Sequence, residues 1–196
     1  MRALAARRQM LFGFGAVAAA TTVPSVLQRE FRQGQAQLPR SPLSAFAVRR
    51  IALDNLHTGD RFDEVYWEKG AYVAGALAEA QRVLRDWRSG EEHFMDPKLF
   101  DLLHGIAGQL ETTGPFQIVS GYRSPQTNAM LHERSAGVAS NSQHVLGKAC
   151  DICIEGVELA NLQKAALSLQ AGGVGFYPVS NFVHVDVARV RSWTGV

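Results

Sequence analysis

Two histidines and one aspartate stand at a spacing that could build a metal site. His144 and Asp151 lie seven positions apart with Gly147 between them, and His184 follows 33 residues after Asp151 in an apolar, alternating segment. Two neutral imidazoles and one carboxylate form a ligand set for a catalytic Zn²⁺ ion that keeps a fourth position open for water. The pattern therefore predicts a zinc cofactor and a site suited to hydrolysis.

The period of a β-strand decides which of these side chains can meet. Along 182–187, His184 and Asp186 share one face and the valines share the other. Asp151 likewise faces away from its apolar neighbours in the segment 149–154. A sharp turn at Gly147 would bring His144 back over the end of that strand. The two segments are thus expected to converge on one metal centre.

The remaining elements follow from hydrophobic periodicity and turn signals. The patterns predict strands over 49–56, 61–67, 116–120, 149–154, 173–177 and 182–187, and helices over 71–87, 97–110, 125–134 and 158–169. Asp96 and Pro97 supply an N-cap and a first helical position for the second helix. Strands and helices mix without a regular βαβ alternation. This order favours an α+β fold, a single domain with a mostly antiparallel sheet, flanking helices and a zinc cleft.

The N-terminal segment is typical of an export signal. Arg7 and Arg8 precede an apolar run over 10–20 that is too short to span a bilayer comfortably. We predict a signal peptide over 1–20, a linker over 21–45 and a single domain that carries the zinc site over 46–196. The arginine pair favours the twin-arginine route to the periplasm, with no stable membrane span after cleavage. A general export signal or an uncleaved anchor are the alternatives.

The charge balance argues against nucleic acid as a partner. The net charge is +2, but without the three arginines of the predicted signal it becomes −1. No basic run with interleaved aromatic residues is present in the sequence.

Three motifs together resemble a known family. They are Ser-Gly-Tyr-Arg-Ser at 120–124, Ser-x-His-x-x-Gly-x-Ala-x-Asp at 142–151, and Gly-Val-Gly-Phe-Tyr-Pro at 173–178 leading to Phe-Val-His-Val-Asp at 182–186. With them the chain resembles the zinc D-Ala-D-Ala metallopeptidases, most closely their murein endopeptidase K branch. The resemblance implies a periplasmic or cell-wall endopeptidase that hydrolyses peptide cross-links of peptidoglycan, with its stem peptides as partners.

The resemblance also implies roles for individual residues. It assigns metal ligation to His144, Asp151 and His184, and substrate binding to Arg123. The planar guanidinium of Arg123 suits a substrate carboxylate, and a structural ion pair is the alternative role. Ser142 is expected to line the cleft and to contact the substrate.

One departure from the family concerns proton transfer. Several relatives carry Glu or Asp three residues before the second histidine ligand, where this chain has Asn181. Asp186 is then the best local carboxylate for a catalytic role, and its alternative role is to orient His184 through a hydrogen bond. The departure also keeps open a non-catalytic peptidoglycan-binding module of the same fold.

The two cysteines suggest a further alternative. Cys150 and Cys153 form a C-x-x-C pattern around Asp151, which in an exported protein could be a redox motif. On a strand, however, positions i and i+3 face opposite ways, so the two thiols cannot meet. We predict Cys150 in the core and Cys153 on the wall of the cleft.

Overall fold

The computed structural model describes residues 48–134 and 139–195. The predicted signal peptide and linker lie outside these residues. The described strands are Arg49–Asn55 (β1), Arg61–Glu68 (β2), Ala71–Tyr72 (β3), Phe116–Ser120 (β4), Ala149–Ile154 (β5), Gly173–Tyr177 (β6), Phe182–Asp186 (β7) and Arg191–Thr194 (β8). The described helices are Ala74–Val83 (α1), Pro97–Gln109 (α2), Pro125–Arg134 (α3) and Leu159–Ser168 (α4). None of these helices has the length and hydrophobicity that a bilayer crossing requires.

All eight strands join one sheet, in the order β3-β2-β1-β4-β5-β7-β6-β8. Neighbouring strands are antiparallel except for the pairs β1/β4 and β6/β8. The α+β fold with a mostly antiparallel sheet is therefore confirmed. At the centre of the sheet, β5 and β7 place Asp151 directly opposite His184.

The central strands β5 and β7 have one apolar face and one polar face. Val183 and Val185 of β7 are fully buried, as are Cys150 and Ile152 of β5, and α4 packs against these strands. This apolar layer holds the strands in place, because burying one such side chain contributes about 1.5–3 kcal/mol. The opposite face is left for the polar residues of the site.

Helix boundaries follow local chemistry. The Asp96 side chain accepts a hydrogen bond from the Lys98 N–H at 3.0 Å, with Pro97 at the first turn, as expected. The prediction of a helix over 71–87 was too long at both ends. Residues 71–72 pair with β2 as β3, and the Leu84 carbonyl leaves the helix to accept the Tyr122 N–H at 2.7 Å.

Strand β8 was not predicted. Its sequence, Arg-Ser-Trp-Thr, has neither an apolar alternation nor the length that marks a strand. It forms by parallel pairing with β6, which places Arg191 beside Gly173 and Trp193 beside Gly175. Tertiary pairing, and not local propensity, creates this edge of the sheet.

Asp86 ties the loop after α1 to the segment that carries Arg123. It is 1% exposed, and one carboxylate oxygen accepts the N–H and the hydroxyl of Ser124 at 2.9 and 2.8 Å. The other oxygen accepts the Arg88 N–H at 3.0 Å. Burial alone would raise the pKa of Asp86, but the hydrogen bonds from Thr127, Ser124 and Arg88 outweigh it and lower the pKa to about 2.

We expect Asp86→Asn to destabilise the protein by roughly 1–3 kcal/mol at pH 7, because an amide cannot accept all of these hydrogen bonds. A depressed folded-state pKa stabilises the protein above the ordinary pKa of 3.8, and this contribution is lost as the pH falls toward about 2. The deficit of the variant should therefore shrink between pH 4 and pH 3 in urea unfolding of the metal-free proteins. Glu92→Gln, an exposed change in the same loop, is the control. A deficit that stays constant from pH 7 to pH 3 would contradict this explanation.

Candidate metal centre

Three possible ligand atoms meet at the site face of β5 and β7. Asp151 Oδ1 lies 2.9 Å from His184 Nδ1 and 3.2 Å from His144 Nε2, and the two ring nitrogens are 3.1 Å apart. Tetrahedral Zn²⁺ with N and O ligands at about 2.0–2.1 Å would hold such atoms roughly 3.3 Å apart. The three residues are between 2% and 8% exposed, so the centre is largely screened from solvent.

Different elements bring the three residues together. Asp151 and His184 are register partners on β5 and β7. His144 lies in a turn between α3 and β5, where the Gly147 N–H binds the His144 carbonyl at 3.2 Å. Gly147 has a φ of 64°, and a Cβ there would collide with the Phe94 carbonyl oxygen. A glycine is therefore needed for the turn that returns His144 to the end of β5.

The partner of His144 fixes its tautomer. Nδ1 lies 2.7 Å from the Gly121 carbonyl oxygen, which can only accept, so Nδ1 carries the proton. Burial lowers the pKa of His144 to about 4, against the weaker attraction of Asp151, so the ring is neutral near pH 7. Its Nε2 lone pair therefore points at the centre.

His184 is oriented in the same way by a carboxylate. Its Nε2 lies 3.0 Å from Asp186 Oδ2 and donates to it, which turns Nδ1 toward Asp151. Burial alone would lower the pKa of His184, but hydrogen bonds to Asp151 and Asp186 raise it above the usual value. The surroundings of Nδ1 therefore stabilise a positive charge at that atom, which either a proton or a metal ion can supply.

Asp151 is held as an anion. Burial would raise its pKa, but His144, His184 and Arg123 hold the pKa of Asp151 well below the usual range. An Arg123 Nη2–Oδ2 contact of 2.5 Å leaves Oδ1 for the centre, and Arg123 Nε donates to Ser120 Oγ at 2.9 Å. Arg123, predicted to bind substrate, thus makes the ion pair that was its alternative role. Its Nη1 makes no hydrogen bond within 48–134 and 139–195.

Three acceptors cannot share this space without a positive charge between them. The His144 Nε2 lone pair faces Asp151 Oδ1 at 3.2 Å, and neither atom has a proton to donate. A proton on His184 Nδ1 would satisfy only part of the set, whereas a divalent cation would satisfy all three atoms at once. These three ligand atoms therefore fit a metal ion.

Asp186 lies behind His184. It shares the face of His184, as predicted, but it is 0% exposed and does not open onto a cleft. Its oxygens accept from the Gly173 N–H at 3.1 Å, the Ala188 N–H at 2.9 Å and the Arg191 guanidinium, besides His184. Burial would raise the pKa of Asp186, yet these donors hold it well below its usual range.

Ser142 and Asn181 lie in turns next to the site strands. Ser142 is 8% exposed, and its hydroxyl accepts the His144 N–H at 3.3 Å, so it supports the turn that carries the histidine. Its expected place on the cleft wall stays a prediction. Asn181 is exposed in the turn between β6 and β7 with a φ of 54°, a conformation that Asn tolerates better than most residues.

Trp193 is a site residue that the sequence reasoning did not assign. Its ring packs 5.2 Å from the ring of His184, and its Nε1 donates to the Tyr177 hydroxyl at 3.0 Å. A Cβ on Gly175 would collide with the indole. The glycines of the 173–175 motif were the available signal, because a repeated glycine on a strand often marks a close approach.

The cysteines do not form a redox pair in the described residues. Cys150 is fully buried in the core and Cys153 is half-buried with Sγ 3.1 Å from Gln117 Oε1, and both thiols are free. Burial raises the pKa of both, the opposite of what a reactive thiol requires.

Comparisons with known proteins show the family of this chain. A family model described as peptidoglycan L,D-endopeptidase MepK matches residues 43–193. The peptidoglycan L,D-endopeptidase MepK of Escherichia coli K12 is 44% identical over 163 residues, which cover 82% of this chain and 90% of that protein. The probable peptidoglycan L,D-endopeptidase MepK of Haemophilus influenzae is 39% identical over 163 residues, 81% of this chain and 88% of that protein. The chain thus belongs to the MepK family of peptidoglycan L,D-endopeptidases, within the metallopeptidases that its motifs resemble.

Proposed function

We propose that this protein is a zinc-dependent peptidoglycan endopeptidase whose metal is held by His144, Asp151 and His184. The observation that carries the proposal is the meeting of three acceptor atoms at 2.9–3.2 Å, each oriented by a partner on its other side. Two imidazoles and one carboxylate favour zinc, since Mg²⁺ and Ca²⁺ prefer sites built from oxygen alone. Bound there, zinc would supply an activated water and polarise the scissile carbonyl.

The substrate class comes from the family. Both relatives are named as L,D-endopeptidases of peptidoglycan, and this chain spans at least 88% of their length. The name L,D-endopeptidase means that the hydrolysed bond joins an L centre to a D centre in the stem peptides. Of the two cross-link types, 4-3 and 3-3, this favours the 3-3 type. A peptidoglycan substrate also supports export to the periplasm. Residues 1–20 are the proposed export signal, and the arginine pair favours the twin-arginine route.

The chain's own residues prepare the site for this reaction. Arg123 keeps Asp151 ionised and turns Oδ1 inward, and the Gly121 carbonyl keeps the proton of His144 on Nδ1. Trp193 covers one side of His184 and restricts access of water to the ring. Of the two roles considered for Asp186, its burial and its occupied oxygens support the orienting role over proton transfer.

Digestion of purified muropeptides with analysis by mass spectrometry tests this proposal. We expect cleavage of an L,D bond in cross-linked species, loss of activity with a chelator and recovery with Zn²⁺. His144→Ala should abolish both metal binding and turnover. His104→Gln is a matched control, because that histidine lies on α2 and contacts Arg50 instead of the centre. A protein that binds zinc and sacculi but cleaves nothing would instead be the binding module that Asn181 suggested.

Arg123→Lys separates support of the metal from contact with the substrate. Lysine keeps the charge but cannot bind Asp151 and Ser120 together, so we expect metal affinity to fall about 10–100-fold. At saturating zinc, a remaining rise in KM would measure a contact of Arg123 with a substrate carboxylate. Arg85→Lys, in an ion pair with Asp60 on the neighbouring loop, is the control. Unchanged metal affinity would disprove the supporting role, and an unchanged KM at saturating zinc would disprove the substrate contact.

A further inference from the structure

The closing strand β8 places a guanidinium against the carboxylate behind His184. Arg191 Nη2 lies 2.6 Å from Asp186 Oδ2, and Nη1 lies 3.1 Å from Oδ1. Two parallel N–H···O bonds of this kind fix both the position and the plane of a carboxylate. The Asp186 side chain is 0% exposed and the Arg191 side chain 30% exposed, so the pair is mostly shielded from water.

The plane of Asp186 matters because the same carboxylate orients a proposed metal ligand. Asp186 Oδ2 accepts the Nε2–H of His184 at 3.0 Å, on the side of the ring opposite Nδ1. Rotation of the carboxylate would therefore rotate the imidazole and move Nδ1 away from Asp151 and His144. Arg191, Asp186 and His184 form one connected chain of hydrogen bonds that ends at the centre.

Gly173 shows that the backbone is built to admit this pair. A Cβ at position 173 would collide with both Arg191 Nη1 and Asp186 Oδ2. The Gly173 N–H also donates to Asp186 Oδ1 at 3.1 Å. The first glycine of the 173–175 motif thus leaves the volume in which the guanidinium and the carboxylate meet.

A second residue of β8 contacts the same histidine directly. Trp193 packs against the His184 ring, and the Arg191 guanidinium lies 4.9 Å from the centre of the Trp193 ring. Strand β8 therefore confines His184 from one side through Trp193, and from behind through the contact of Arg191 with Asp186.

We propose that Arg191 is a positioning residue of the metal centre, which sets metal affinity by holding Asp186 in the plane that directs His184 Nδ1 to the ion. The proposal rests on the ligand assignment made under the proposed function. The short strand β8 would thus contribute to metal binding through Asp186, although no atom of Arg191 reaches the ligand atoms.

Metal affinity of single and double variants tests the chain of contacts. Dissociation constants for Zn²⁺ would be measured by chelator competition for the wild type, Arg191→Gln, Asp186→Asn and the double variant. Loss of an orienting partner behind a ligand typically costs 10–100-fold in affinity. We expect about a 10-fold loss for Arg191→Gln, at least that for Asp186→Asn, and less than about a 3-fold further loss when Arg191→Gln is added to Asp186→Asn.

Matched variants distinguish positioning from general stability. Arg189→Gln removes an exposed arginine two residues away and should leave zinc affinity unchanged. Arg191→Lys keeps the charge with a single contact and should give an intermediate loss. Gly173→Ala keeps Arg191 but forces the pair apart, so it should weaken zinc binding to a similar degree. Urea unfolding of the metal-free proteins would show that these losses exceed any change in folding.

Two results would overturn the proposal. One is an Arg191→Gln protein whose zinc affinity stays within about twofold of the wild type. The other is an equal loss from Arg191→Gln in the presence and absence of Asp186→Asn, which would mean that Arg191 does not act through that carboxylate. Either result, with wild-type zinc binding intact and lost in His184→Ala, leaves the ligand assignment standing. A wild-type protein that binds no zinc would overturn both.

Discussion

Mutual repulsion among three acceptor atoms is the constraint on which this site depends. His144 Nε2, Asp151 Oδ1 and His184 Nδ1 are held 2.9–3.2 Å apart in a buried place, an arrangement that is costly unless a cation lies between them. Each atom is held there because another atom of the same side chain is hydrogen-bonded to a neighbouring group. The Gly121 carbonyl, Arg123 and Asp186 hold the three groups in turn. Contacts outside the ligand set thus orient the three groups to bind a metal ion.

The sheet makes this arrangement rigid. The proposed ligands on the paired central strands have their separation fixed by backbone hydrogen bonds, and the apolar layer on the opposite face prevents the strands from moving. Glycines open the space that larger residues would close. Gly173 admits the Arg191–Asp186 pair, Gly175 admits the Trp193 indole, and Gly147 permits the turn that carries His144.

Much of this site was predictable from the sequence, because strand alternation and glycine turns are local signals. They placed His184 and Asp186 on one face, set Cys150 apart from Cys153 and predicted the two strands that pair as β1 and β2. What was missed depends on distant pairing. Strand β8 has no pattern of its own, so the environments of Asp186 and Trp193 could not be foreseen. Alternation placed Asp186 on the face of His184, but it gives only the face of a side chain and not the residues that cover it.

Zinc K-edge X-ray absorption of the loaded protein would identify the atoms that bind the metal. If His144, Asp151 and His184 hold the ion, we expect one zinc environment with two imidazole nitrogens and carboxylate or water oxygens at about 2.0–2.2 Å, and no sulfur. The imidazole scattering should fall by half, or disappear with the zinc, when His184 is replaced by Ala. A shell of sulfur at about 2.3 Å, or an unaltered two-imidazole signal in that variant, would contradict this ligand set.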